Sequence, residues 1–228
     1  MKKNIMIITG GSAGLGLALV KEGLKRGYFV CNLGRNPEKM AALDAEFHGM
    51  DYKGFVGDVS DEAFVAAAVA EASDIGKITH LFNNAQKSCF KAPTAFTEAD
   101  IEESFDGLRA MLYCTKHVLQ ATGEADAHII NIMSTAALKG KKEESLYCAV
   151  KWGARGYTEA LKATYKDTSV KISAIYPGGM NTGFWNQSRE YISEAKSDTF
   201  MNPAEVAAQI MEHVLSEACE EDLTIQRK

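Results

Sequence analysis

The chain has few cysteines, and their spacing suggests no joint role. Cys31, Cys89, Cys114, Cys148 and Cys219 form an odd set with no C-x-x-C pair and no histidine at metal-ligand spacing. Neither a zinc site nor a Cys/His nucleophile pair is suggested, and reduced, mostly buried thiols are expected. His48, His80, His117, His128 and His213 are equally dispersed. Concentrated positive charge is also missing. The 25 Lys and Arg residues are scattered and outnumbered by 30 Asp and Glu, for a formal net charge of −5. A phosphate backbone demands a clustered positive field, so nucleic acid is excluded as an expected partner. No stretch approaches the roughly 18 apolar residues needed to span a bilayer. The opening "MKKNIMIITGG" has too short an apolar core for a secretion signal and no small-residue cleavage site, so it reads as a first β-strand. A soluble, cytoplasmic protein is expected, without a membrane partner or a metal.

No low-complexity linker interrupts the 228 residues, 46% of which are hydrophobic, so one domain over 1–228 can bury a full core. Short β-branched runs alternate with longer helical patterns. Strands are expected at Asn4–Thr9, Phe29–Leu33, Tyr52–Val56, His80–Asn83, Ala127–Met133, Lys171–Tyr176 and Asp222–Ile225. Helices are expected near Gly14–Arg26, Pro37–Phe47, Asp61–Ser73, Glu98–Gln120, Leu146–Thr164 and Pro203–Leu215. Asn36-Pro37, Ser60-Asp61 and Asn202-Pro203 each place a capping residue before a proline or acidic first turn. This alternation predicts an α/β fold, a parallel sheet of about seven strands with helices on both faces. Nearly continuous apolar strands such as "HIINIM" fit a sheet buried on both sides. Right-handed crossovers gather the strand C-termini at one edge, where ligands of such folds bind.

The residues after each strand therefore carry the functional reading. "TGGSAGLG", Thr9 to Gly16, turns directly into a helix. Glycines there let the backbone approach a diphosphate, and the free N–H groups of the helix start favour its charge. Thr9, Gly10, Ser12, Gly14, Leu15 and Gly16 are thus candidate cofactor-binding residues, with a plain tight turn as the alternative. After the second strand stand Gly34 and Arg35, with no carboxylate to accept from a ribose 2′-hydroxyl. An arginine accommodates a 2′-phosphate, which favours NADP(H) over NAD(H), the alternative being a solvated arginine. Asp58 and Val59, after the third strand, are placed to bracket an adenine, although Asp58 could be a helix-entry cap. Tyr147 and Lys151 lie four residues apart and share one helix face. A phenol is a proton donor at neutral pH, and a nearby ammonium favours its phenolate and brings its pKa toward the working range.

Taken in order, these motifs resemble those of the short-chain dehydrogenase/reductase family from Thr9 to about Leu215. "TGGSAGLG" is similar to the family's T-G-x-x-x-G-x-G turn, Asn83-Asn84-Ala85 to its mid-sheet motif, and "YCAVK" to its Y-x-x-x-K. Ser134 stands thirteen residues before Tyr147, as the family's catalytic serine does, and "PGGMNT" is similar to P-G-x-x-x-T. The resemblance implies a Rossmann-type, doubly wound sheet and a reversible reduction of a small-molecule carbonyl to an alcohol. It implies that Tyr147 protonates the carbonyl oxygen, that Ser134 hydrogen-bonds it, and that Lys151 lowers the phenol pKa and holds the ribose. Asn84, Ala85, Pro177, Gly178, Met180 and Thr182 then complete the NADP(H) site. A homodimer or homotetramer is implied through the fourth and fifth helices, with Leu108, Met111, Leu112, Trp152 and Tyr157 as interface candidates, or else as buried stripes. A substrate lid is implied at about 183–200, where Phe184 and Trp185 could cover an apolar ligand.

Two positions depart from the family pattern. Gly107 stands where an asparagine is common on the fourth helix, and Gln86 follows Asn83-Asn84-Ala85 where a glycine is common. They make a catalytically weak or inactive NADP(H)-binding regulator the alternative to an enzyme.

Overall fold

In a computed structural model describing residues 2–87, 89–188 and 200–227, seven strands form one all-parallel sheet in the order β3-β2-β1-β4-β5-β6-β7. The strands are β1 (Lys3–Thr9), β2 (Phe29–Gly34), β3 (Tyr52–Val56), β4 (Gly76–Asn83), β5 (His128–Ile132), β6 (Lys171–Pro177) and β7 (Asp222–Ile225). The helices are α1 (Gly14–Lys25), α2 (Pro37–Glu46), α3 (Glu62–Ile75), α4 (Glu98–Thr122), α5 (Ser145–Tyr165) and a sixth, here α6 (Pro203–Val214). The order reverses between β1 and β4, so the crevice outside their C-termini is the switch point where ligands bind in such sheets.

Successive side chains of a strand face opposite sides, and the core divides accordingly. Ile5 and Ile7 pack with Val65, Cys114, Val118 and Leu161 from α3, α4 and α5. Met6 and Ile8 pack with Leu19, Val20, Ile210 and Met211 from α1 and α6. Both faces of β1 are therefore dry, as its apolar run implies.

Helix starts follow the capping chemistry, with one shift. Asn36 accepts from Lys39 N at 2.8 Å, Asn202 from Ala204 N at 2.9 Å, and Thr97 forms a reciprocal capping box with Asp100. At α3 the cap is Asp61, accepting from Ala63 N at 2.9 Å, because Ser60 is turned back to Asp58. β4 begins four residues earlier than expected. Gly76 passes straight from α3 into extended backbone, and a register shift opposite Ile5 and Met6 accommodates Thr79, whose hydroxyl donates to Ile5 O at 3.2 Å.

Buried polar side chains bind the two central strands to the helices over them. Asn83 Nδ2 donates to Asn131 Oδ1 at 2.8 Å and to Thr115 Oγ1 at 3.0 Å. Asn131 Nδ2 donates to Thr158 Oγ1 at 2.9 Å, which donates to Ala154 O. This network fixes α5 against β5 and hence the position of Tyr147 and Lys151.

The proposed interface stripe divides. Met111 is buried with Met133, Ala154 and Tyr176, and Leu108 and Tyr157 pack on the same cluster, so these three serve the core. Leu112 and Trp152 remain 40% and 48% exposed. Of the expected lid, 183–188 form a 3-10 helix and 200 is described, while 189–199 lie outside the described residues.

Candidate active site

A cavity of about 500 Å³ opens along the strand C-termini at the switch point. Its floor is the β1–α1 turn. Gly10 has φ +69°, and a Cβ there would come within 2.9 Å of Ala85 Cα. At Gly16 a Cβ would press on the Gly10 carbonyl and lie 2.6 Å from Asn84 Nδ2. Only a chain without side chains at both positions can make this approach. The N-cap of α1 is Ala13, which offers no side-chain acceptor, whereas α2, α3, α4 and α6 are all capped by side chains. α5 also starts without a side-chain cap, but α1 opens on the cavity through Gly14, Leu15 and Gly16, where its first-turn N–H groups could meet a diphosphate.

Gly10, Ser12, Gly14, Leu15 and Gly16 all line the cavity. Thr9 does not. It is 1% exposed, its hydroxyl accepts from Asn84 N at 3.0 Å and Ala85 N at 2.9 Å, and it joins the ends of β1 and β4 behind the floor. Asn84 Nδ2 donates to Thr9 O at 2.9 Å, which fixes the same joint from the other side.

At the far end of the cavity stand Arg35, Asp58 and Val59, together with Lys39 from α2. Lys39 has no motif to announce it; the start of α2, just after β2, brings it to the same cavity as Arg35. Asp58 Oδ1 accepts from Ser60 N at 2.9 Å and Ser60 Oγ at 2.8 Å. Burial alone would raise its carboxyl pKa, but those two bonds, with Arg35 and Arg109 nearby, hold it below the usual range. Asp58 therefore serves the loop into α3 while facing the cavity.

The middle of the cavity gathers Ser134, Tyr147 and Lys151. Ser134, after β5, accepts from Ala136 N at 3.1 Å and is close enough to the Tyr147 phenol to lower its pKa. Lys151 follows one turn later on α5, 3% exposed, donating to Ile132 O at 3.0 Å, with Nζ 5.8 Å from the centre of the Tyr147 ring. Burial pushes the ammonium down to about 8. Burial also pushes the Tyr147 phenol up, against a smaller lowering by Ser134. Glu144 and Cys148 add to the rise, and the lowering expected from Lys151 is not among the contributions, so the phenol is a proton donor.

Desolvation of Tyr147 has a visible cause. Phe90, from the loop after β4, lies 5.5 Å from its ring, and Phe184 lies 5.8 Å away. Trp185 stacks on Phe90 at 5.0 Å and on Phe200 at 5.3 Å, its indole N–H donating to Met180 O at 2.9 Å. Phe90 belongs to no motif, so the sequence gives no signal for it. Pro177, Gly178, Met180 and Thr182 line the cavity from the β6 side, with Thr182 Cγ2 placed 3.2 Å from where a Gly14 Cβ would stand.

The two departures from the family pattern prove to be one feature. The Gln86 carboxamide lies over Gly107: a Cβ at 107 would be 2.6 Å from Gln86 Cδ. Gln86 Nε2 donates to Ser104 O at 3.0 Å, on the preceding turn of α4, and to Lys87 O. The side chain missing from α4 is replaced in space by one from the β4 loop. Among the described residues no group of three or more His, Cys, Asp or Glu is placed to hold a metal, and no helix is long and apolar enough to cross a membrane.

Comparison with known proteins agrees with this geometry. The family model described as short chain dehydrogenase matches residues 4–192. Nodulation protein G of Azospirillum brasilense is 33% identical over 208 residues, covering 87% of this chain and 83% of the relative. The 3beta-hydroxysteroid dehydrogenase of Mediterraneibacter gnavus is 28% identical over 214 residues, 91% of this chain and 74% of the relative. Among solved structures, ElxO with NADP bound superposes with a TM-score of 0.84 at 26% identity, over 99% of this chain and 97% of that one. The chain belongs to the short-chain dehydrogenase/reductase family of oxidoreductases.

Proposed function

We propose that this chain is an NADP(H)-dependent reductase of a small-molecule carbonyl, reversible as an alcohol dehydrogenase. The observation that carries the reading is the meeting, in one cavity, of an uncapped, glycine-rich helix start with the neighbouring hydroxyls of Ser134 and Tyr147 and the buried Lys151. The bound cofactor supplies hydride for reduction, or accepts it in the reverse direction. Tyr147 donates its proton to the carbonyl oxygen while Ser134 hydrogen-bonds the same oxygen. Lys151, held by Ile132 O, places positive charge beside the phenol and stabilises the phenolate left behind. The aromatic cover excludes water, which strengthens each of these interactions.

The NADP(H) assignment rests on Arg35 and Lys39 lining the cavity at the end of β2, two cations for a 2′-phosphate. It is supported by the ElxO structure with NADP bound. A homodimer or homotetramer fits the exposed Leu112 and Trp152 on α4 and α5. The alternative, a cofactor-binding regulator without turnover, draws on the altered 86/107 pair. Consumption of NADPH against a panel of aldehydes, ketones, diketones and quinones separates the two. Turnover on any member supports the reductase; tight NADPH binding with none across the panel supports the regulator.

A further inference from the structure

Beneath the cavity floor lies a polar side chain where an apolar strand calls for none. Asn32, opposite Ile8 in the pairing of β2 with β1, is fully buried. Its Nδ2 donates to the Tyr52 hydroxyl on β3 at 3.1 Å and to Met40 Sδ on α2 at 3.6 Å, which fixes the orientation of the carboxamide. Its Oδ1 faces Gly11 instead, buried and with no hydrogen-bond partner among the described residues. A Cβ at Gly11 would overlap Oδ1 and come within 2.8 Å of Asn32 Cγ and of Val20 Cγ2. Gly10 and Gly14 have positive φ and Gly11 does not, so contact with Asn32 and Val20, not backbone conformation, demands a glycine here. Gly10 and Ser12 line the cavity, while Gly11 between them rests on Asn32. A buried acceptor without a donor is costly, and one kept in the core calls for an explanation.

We propose that Asn32 is a positioning residue for the cofactor turn: its bare carboxamide oxygen sets how deep Gly11 sits, and so where the N–H groups at the start of α1 meet a diphosphate. This rests on the dinucleotide-binding part of the reading above and deepens it. A carbonyl oxygen carries no hydrogens and is smaller than a methyl or an amino group, so the turn can approach it more closely than it could an aliphatic side chain. The neighbouring backbone is held at its two ends, where Gly10 N donates to Leu33 O at 2.8 Å and Ala13 O accepts from Leu17 N at 3.1 Å. Tyr52, half-buried on β3, acts through Asn32: by accepting from Nδ2 it keeps the oxygen end under Gly11. Neither Asn32 nor Tyr52 lines the cavity, so neither is placed to touch the cofactor.

The test is equilibrium binding, which does not require turnover. Calorimetric titrations of NADPH and of NADH are run on the full chain for wild type, Asn32→Leu and Tyr52→Phe, with folding checked by urea unfolding. Asn32→Leu puts a methyl where the oxygen stood and should weaken both cofactors by one factor, roughly tenfold, at unchanged binding stoichiometry. Tyr52→Phe releases the carboxamide to rotate and should weaken both by roughly two- to fivefold. One factor for both is expected because both carry the diphosphate, and unchanged stoichiometry separates a misplaced turn from a partly unfolded sample. Wild-type affinity in either variant, a loss of stoichiometry alone, or a loss confined to NADPH would overturn the proposal; if Asn32→Leu fails to fold, Tyr52→Phe decides. Wild type that binds neither cofactor would overturn the dinucleotide reading and the proposal with it, whereas affinity kept in the variants overturns the proposal alone.

Discussion

Protonation of the buried His128 and the half-buried His80 should make this protein sensitive to mild acid. His80 on β4 and His128 on β5 face each other across the sheet, ring centres 5.7 Å apart. Tyr28 packs edge-on against His80, and Ser173 Oγ lies 2.8 Å from His128 Nε2. Burial lowers both pKa values from 6.5, to about 4 for His80 and about 3 for His128; Lys171 adds to both, while the His80 charge and then Lys171 and His213 add at His128. The folded state thus binds these protons later than the unfolded chain. Their neutral burial is without penalty above pH 6.5, and stability falls as pH drops from 6.5 toward 4. Each histidine contributes about 1.4 kcal/mol per pH unit in that window. At pH 5 the loss is about 2 kcal/mol for each and about 4 kcal/mol for the pair, a large part of the 5–15 kcal/mol typical of a domain. The carboxylates held low, such as Asp58 and Asp100, release stability only at still lower pH. Urea unfolding at pH 7.5, 6.5, 5.5 and 5.0 measures this, with His80→Gln/His128→Gln beside wild type. Wild type should lose about 4 kcal/mol from pH 7.5 to 5.0, and the double variant should be nearly flat. A flat wild-type profile, or an equal loss in the variant, would refute the reasoning.

Three other perturbations test separate parts of the structure. Asn131→Leu removes the bonds to Asn83 and Thr158 and should cost about 2–4 kcal/mol in urea unfolding, because buried partners are left unpaired; a cost below ~1 kcal/mol would deny the network its role. Gly107→Ala should destabilise the protein when Gln86 is present and be tolerated in a Gln86→Gly background, giving a coupling of roughly 0.5–3 kcal/mol in a double-mutant cycle; additivity would show that the two positions are independent. Arg35→Asp should weaken NADPH binding at least tenfold more than NADH binding, read by cofactor fluorescence, and equal losses would remove the 2′-phosphate role.

The sheet was legible because its strands are apolar on both faces and separated by capped helices. β4 reads short in the sequence because "GKIT" mixes glycine and polar residues; pairing with β1 at Lys3–Ile5, not local propensity, makes those residues extended. The motif-bearing turns were legible because each follows a strand end. Phe90 and Lys39 were not, since a loop aromatic acquires meaning only when the fold packs it on Tyr147, and a helix lysine only when the fold brings it to the cavity. The 86/107 pair was visible as two separate departures, and only their contact shows that one fills the space left by the other. The sign of the Tyr147 shift depended on the same missing information, the rings that exclude water from the phenol.

The most direct test of the central claim is Tyr147→Phe, with NADPH binding and turnover measured side by side on whichever carbonyl the wild type reduces. Loss of the phenolic proton donor should lower kcat by about 10²–10⁴-fold while NADPH affinity stays within a few-fold of wild type. A variant that binds NADPH and turns over at the wild-type rate would contradict the assignment of Tyr147 as the proton donor and with it the mechanism proposed for this site.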